Sequence, residues 1–147
     1  MLSIPIILIR ALVVVESNGN THAIGTHGEV GALQISPIVL ADVQRIRGIH
    51  FADVDGFDFA KSVEILQIYL AHYCTEKRFG RQPTLRDMAL TWHRGPRGPW
   101  KDDTDGYWTK VVAAMHQFRP DGTKLDEADR KVGTSVTATR AVLQGQD

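Results

Sequence analysis

The sequence predicts a mainly α-helical domain, and three observations carry that prediction. Apolar residues recur at helical rather than alternating spacing along most of the chain. The breaks between those stretches hold Gly, Pro, Asp and Thr, where helix caps and stops belong. With 147 residues, 43% hydrophobic and 23% charged, the chain is one domain's worth of ordinary globular composition. Lysines plus arginines equal the acids at 17 each, so the basic excess of a general nucleic-acid binder is missing. The single cysteine, Cys74, excludes an intramolecular disulfide framework and a Cys-rich zinc cage.

The first element spans roughly the first fifteen residues and is apolar on nearly every side, as a buried central helix is. No basic residue precedes the run, Arg10 interrupts it, and Glu16-Ser17-Asn18 follows where a signal peptide needs small residues. It is too short to span a bilayer. From Asn18 to Ser36, four glycines among polar residues read as a long loop or a small β-hairpin, a kind of segment that tends to carry function.

Pro37 suits the first turn of a helix running to about Arg47 and stopped by Gly48. A polar stretch with Asp53, Asp55 and Asp58 does not meet EF-hand spacing and reads as turns and caps. Asp58 is the expected N-cap of a helix from about Phe59 to Arg78, marked by Val63, Leu66, Tyr69, Leu70 and Tyr73. Cys74 falls on its apolar face. Thr84 caps a helix from Leu85 to about His93, ended by the Gly- and Pro-rich run from Arg94 to Pro99. A last core helix covers about Thr104 to Phe118 and breaks at Pro120. The organisation expected is a domain over 1–119 and a C-terminal extension over 120–147. In that extension Leu125, Ala128 and Val132 offer one weak stripe, of a loosely packed helix or a partly disordered tail.

The chemistry concentrates where a carboxylate, Glu16, ends the apolar helix and a glycine-rich segment returns past it. The end of a buried helix is a place where desolvation favours a protonated carboxyl, which a general acid at a glycosidic oxygen requires. Alone, a helix-terminal glutamate is more often simply solvated. Its surroundings carry more. Glu16-Ser17 is followed by Gly28-Glu29-Val30-Gly31-Ala32-Leu33-Gln34-Ile35, with Pro37 soon after. Then come Ala89-Leu90-Thr91-Trp92-His93-Arg94-Gly95 and Tyr107-Trp108-Thr109-Lys110-Val111. In that order, over roughly Ile6 to Phe118, these blocks resemble soluble-lytic-transglycosylase-type domains of the lysozyme-like superfamily, which includes the goose-type lysozymes.

The resemblance implies a helical lysozyme-like fold acting on peptidoglycan glycan strands without a cofactor or metal. Glu16 is then the general acid/base, Ser17 lies near it and helps to hold substrate, Gln34 lines the saccharide cleft, and Tyr107 orients Glu16. Trp92 and His93 stand where the family has tyrosine and asparagine. His93 can donate a hydrogen bond as asparagine does, with a charge that varies near neutral pH. Trp92 stacks on a sugar or fills the core.

Many relatives carry an aspartate after the loop glycine, but here Thr26 follows Gly25. Inverting hydrolysis needs a second carboxylate to activate water. Glu29 is the nearest candidate, or else a solvent-facing loop residue. Without such a base, the substrate's acetamido group and 6-hydroxyl complete a transglycosylase reaction. A goose-type-like hydrolase and a non-catalytic glycan-binding domain are the alternatives. The expected protein is a monomer with no nucleic-acid or membrane partner, working at the cell wall. With no export signal visible, holin or virion delivery from a bacteriophage fits. Seven basic residues against two acids from Glu76 to Lys101 suit an anionic wall polymer.

Overall fold

A computed structural model describes residues 2–132. The fold class read from the sequence is the one observed: mainly helical, with isolated β-bridges and no extended strand among the described residues. Helix α1 (Ile6–Ser17) buries Ile7, Leu8, Ala11 and Leu12 completely, on several sides at once. It ends because Asn18 turns left-handed (φ 52°) and Gly19 follows (φ 82°), so that their N–H groups cap the carbonyls of Val14 and Val13. Glu16 therefore sits in the last turn of a helix that is buried on several sides.

The segment that follows is a loop with two isolated antiparallel bridges, Ile24 to Val30 and Val30 to Ile35, rather than a hairpin with strands. Val30 is the middle rung: its N–H donates to Ile35, and the Gly31 N–H to Ala23. Gly31 (φ 81°) lies against the 3-10 turn Asp53–Phe57, where a Cβ would come within 1.7 Å of the Gly56 carbonyl oxygen. Only glycine allows that approach, and it docks the loop on the body of the domain.

Helix α2 (Pro37–Arg47) is capped by the Ser36 hydroxyl and closed by Gly48 (φ 68°). Helix α3 (Phe59–Tyr73) starts at Asp58, whose carboxylate accepts from the Lys61 N–H. It stops at Tyr73, earlier than the expected Arg78. Thr75 is extended and its hydroxyl accepts from the Arg78 N–H, starting the separate short helix α4 (Glu76–Phe79). A β-branched residue with a local acceptor favours a new cap over continuing the old helix, and apolar spacing does not show this. Cys74 is buried at that joint, its thiol pushed up to about 11 by burial.

Helix α5 (Leu85–Arg94) begins with a reciprocal cap between Thr84 and Asp87. A 3-10 turn at Gly98–Trp100 folds back on it. Helix α6 (Asp105–Met115) is shorter than expected at its end and lies along α1. Packing continues past Pro120: Phe118 bridges to Lys124, and Leu125 is buried. Helix α7 (Glu127–Val132) comes next. The expected stripe is not its basis, since Leu125 precedes the helix and Ala128 is exposed. The remainder of the extension, 133–147, lies outside the described residues. Among the described residues, no helix is long and apolar enough to cross a membrane.

Candidate active site

Three helix ends converge on Glu16. The last turn of α1 supplies the carboxylate, α5 supplies His93 in its last turn, and α6 supplies Tyr107 in its first. Tyr107 donates its hydroxyl to Glu16 Oε1 at 2.9 Å. His93 Nδ1 stands 3.8 Å from the same oxygen, and its ring lies flat on the Tyr107 ring, 3.8 Å between centroids and 4° from parallel. The Glu16 side chain is only 16% exposed and that of His93 38%. Burial pushes the Tyr107 phenol far above its usual range, aided by the Glu16 charge and the hydrogen bond. Tyr107 is thus a donor at every working pH.

Glu16 and His93 form a ridge between two recesses. One, of about 390 Å³, is walled by the loop through Gly25, Thr26, His27, Glu29 and Gln34. The other, of about 350 Å³, is walled by Val15, Asp103, Gly106, Tyr107 and Lys110. Among the described residues, three that are not glycine adopt left-handed φ: Asn18, Gln34 and Asp103. Asn18 directly follows the turn that carries Glu16, and the other two line the recesses. Backbone strain of this sort persists only where its surroundings enforce it, and it gathers at working sites.

Gln34 (φ 52°) is enforced by its own amide, which donates to the carbonyls of Gly31 (2.9 Å) and Ala23 (3.3 Å). Glu29 faces the same recess as Glu16. Backbone N–H groups, that of His27 at 3.0 Å among them, hold its carboxyl below the usual range, and the nearby His27 ring adds to the effect. Gly25 leaves room for this pair: a Cβ there would meet Glu29 Oε2 at 2.1 Å and Gln34 Oε1 at 2.7 Å.

No protein-family model matches the chain. Over 66 residues it is 38% identical to a protein of Buchnera aphidicola subsp. Baizongia pistaciae named membrane-bound lytic murein transglycosylase E. The match covers 43% of this chain and 31% of that protein, so the chain spans under a third of the relative's length.

Of the residues singled out in the sequence, Glu16, Glu29, Gln34, His93 and Tyr107 line the two recesses. Ser17 faces elsewhere: its hydroxyl lies 2.8 Å from the Ala32 carbonyl and 3.2 Å from that of Val13, so it ties the loop to α1. Trp92 lies at the back of the loop-side recess but is 7% exposed. Its indole N–H donates to the Leu33 carbonyl at 3.1 Å, and its ring meets Tyr69 edge-on. It fills the core behind the cleft and offers no open face for stacking. Sequence reasoning missed His27 and the second recess with Asp103 and Lys110. His27 had a legible signal, two residues before Glu29. Asp103 had none, since a left-handed aspartate is set by the turn into α6.

Proposed function

We propose that the protein cleaves the β-1,4 bond between N-acetylmuramic acid and N-acetylglucosamine in peptidoglycan, as a lytic transglycosylase with Glu16 as acid and then base. One observation carries this reading: a largely buried carboxyl stands between two recesses, with one oxygen held and the other free. Oε1 accepts from Tyr107, while Oε2 accepts no hydrogen bond from the described residues. A glycan crossing both recesses presents its scissile oxygen at Glu16, and the proton is carried on Oε2.

Oε2 protonates the glycosidic oxygen, and the C1–O bond breaks as the muramyl acetamido oxygen closes on C1. The 6-hydroxyl then attacks C1, displaces the acetamido oxygen and gives its proton to the Glu16 carboxylate. A 1,6-anhydro end results, no water is consumed, and Glu16 is again protonated. Tyr107 stabilises the carboxylate between the two steps. The likeness to a protein named as a lytic murein transglycosylase supports the same substrate class.

A second reading, hydrolysis, is favoured by Glu29, an ionised carboxylate facing the same recess. Digestion of purified peptidoglycan followed by mass spectrometry of the released muropeptides separates the readings. Anhydro ends, each lighter by one water, support the transglycosylase. Reducing ends support the hydrolase, and no release at all overturns both.

A further inference from the structure

A basic stretch of the chain, Glu76 to Lys101, also holds an aromatic side chain out in solvent. Trp100, in the turn after α5, is 56% exposed, against 7% for the core residue Trp92. It is held rigidly all the same. Its ring stacks on Phe79 of α4, 4.7 Å between centroids and 24° from parallel. The Arg78 guanidinium lies 5.5 Å from the Trp100 ring centre and 5.7 Å from that of Tyr73. Arg78 Nη2 also donates to the Pro96 carbonyl at 2.7 Å, so α4 and the turn form one unit. Arg81 lies over Phe79 and pairs with the buried Asp87.

Around this unit the charge is one-sided. From Glu76 to Lys101 there are seven Lys and Arg against two acids, in a chain whose charges balance. Asp87 is spent on Arg81, and Glu76 accepts from Gln82. Arg94 at the end of α5, and Arg97 and Lys101 on either side of the turn, are exposed. Three residues beyond Trp100, Asp103 walls the recess beside Glu16. A pre-stacked indole gives flat apolar area at little entropic cost, and exposed guanidinium and ammonium groups attract carboxylates over a distance. Together they fit a polymer that alternates sugar faces with anionic branches.

The geometry points to a second, non-catalytic docking surface, Trp100 with Arg78, Arg94 and Arg97, that holds the uncleaved peptidoglycan strand by a sugar face and by the carboxylates of its stem peptides. This inference rests on the peptidoglycan reading proposed above. The surface keeps the enzyme on an insoluble wall while the cleft works along it.

The test is co-sedimentation with purified sacculi stripped of phosphate-containing polymers, using the full chain carrying Glu16→Gln so that the polymer stays intact. Adding Trp100→Ala, or separately Arg97→Glu, should lower the bound fraction by ~5-fold or more. In the chain with Glu16 intact, the same two substitutions should leave turnover of a short soluble glycan within ~2-fold. Unchanged sedimentation of both variants overturns the docking surface. So does equal loss of soluble turnover with a lowered melting temperature, which makes the cluster structural. Equally tight, equally Trp100-dependent retention on phosphate polymers, anionic lipid vesicles or DNA overturns its specificity for the glycan. Arg97→Glu keeps the question open to refutation should Trp100→Ala fail to fold. If the unsubstituted chain releases no muropeptides from the sacculi, the functional reading fails. Release with unchanged sedimentation refutes the docking surface alone.

Discussion

Replacing Tyr107 by phenylalanine removes one oxygen from the site and little else. The ring still stacks on His93 3.8 Å away, so the walls keep their shape. The loss is the 2.9 Å hydrogen bond to Glu16 Oε1, in a place where Glu16 is only 16% exposed and water is a poor substitute. A hydrogen bond to a charged group is worth about 1.5–3 kcal/mol. The bond is strongest when Glu16 has given up its proton, so most of that energy falls on the transition state rather than on bound substrate. At about 1.4 kcal/mol per factor of ten, kcat should fall roughly 10- to 150-fold. KM should change by less than about threefold. Initial rates of soluble muropeptide release, with a melting curve on the same preparation, decide it. Wild-type kcat in a folded Tyr107→Phe protein would refute the role given to the hydroxyl, and a loss confined to KM would move Tyr107 to substrate binding.

Glu16→Gln keeps an acceptor for Tyr107 and should fold normally while losing at least ~10²-fold in turnover, read by the same muropeptide release. Glu29→Gln should lower the rate modestly and leave anhydro products. A loss matching that of Glu16→Gln, with reducing ends, would establish the hydrolase. Gly31→Ala should cost at least about 2 kcal/mol in urea unfolding, because a left-handed φ and the Gly56 carbonyl both oppose a Cβ. Asp42 is partly desolvated, which opposes its ionisation, but hydrogen bonds from Tyr73 and Arg45 outweigh this and hold its carboxyl below the usual range. Its contribution to stability is therefore present above the unfolded-state value near ~3.9 and is lost as pH falls through the lower folded-state value. Asp42→Asn should flatten that acid limb in melting curves taken from about pH 5 downward.

Helix placement was legible because caps and breaks announce themselves: Pro37, Asp58, Thr84 and Gly48 all act where the sequence puts them. The split between α3 and α4 was not, since Cys74 continues the apolar spacing while Thr75 diverts the backbone. At the site, Glu16 and Tyr107 lie 91 positions apart, and only the ordered motif blocks brought them together in advance. Ser17 and Trp92 were visible as residues but not in orientation. Each is held by a loop carbonyl, Ala32 for Ser17 and Leu33 for Trp92. A carbonyl's direction depends on bridges such as Val30 to Ile35, which no local pattern encodes. The left-handed Gln34 belongs to the same class of feature.

Placing the acid on α1 has a consequence for how the protein fails. A carboxylate on a surface loop can be lost by local fraying while the rest of the molecule survives. Here Glu16 rides on the helix that contributes Ile7, Leu8, Ala11 and Leu12 to the core, and its two partners arrive on helices packed into that core. The chemical group and the folding unit are the same object, so the free energy that opens one opens the other. Amide exchange from α1 should be as slow as the slowest in the molecule, and heat inactivation should follow the global unfolding curve without an earlier phase. The opposite wall shares this tie: the Ser17 hydroxyl holds the Ala32 carbonyl, the Trp92 indole holds the Leu33 carbonyl, and Leu33 and Ile35 are buried in the same core.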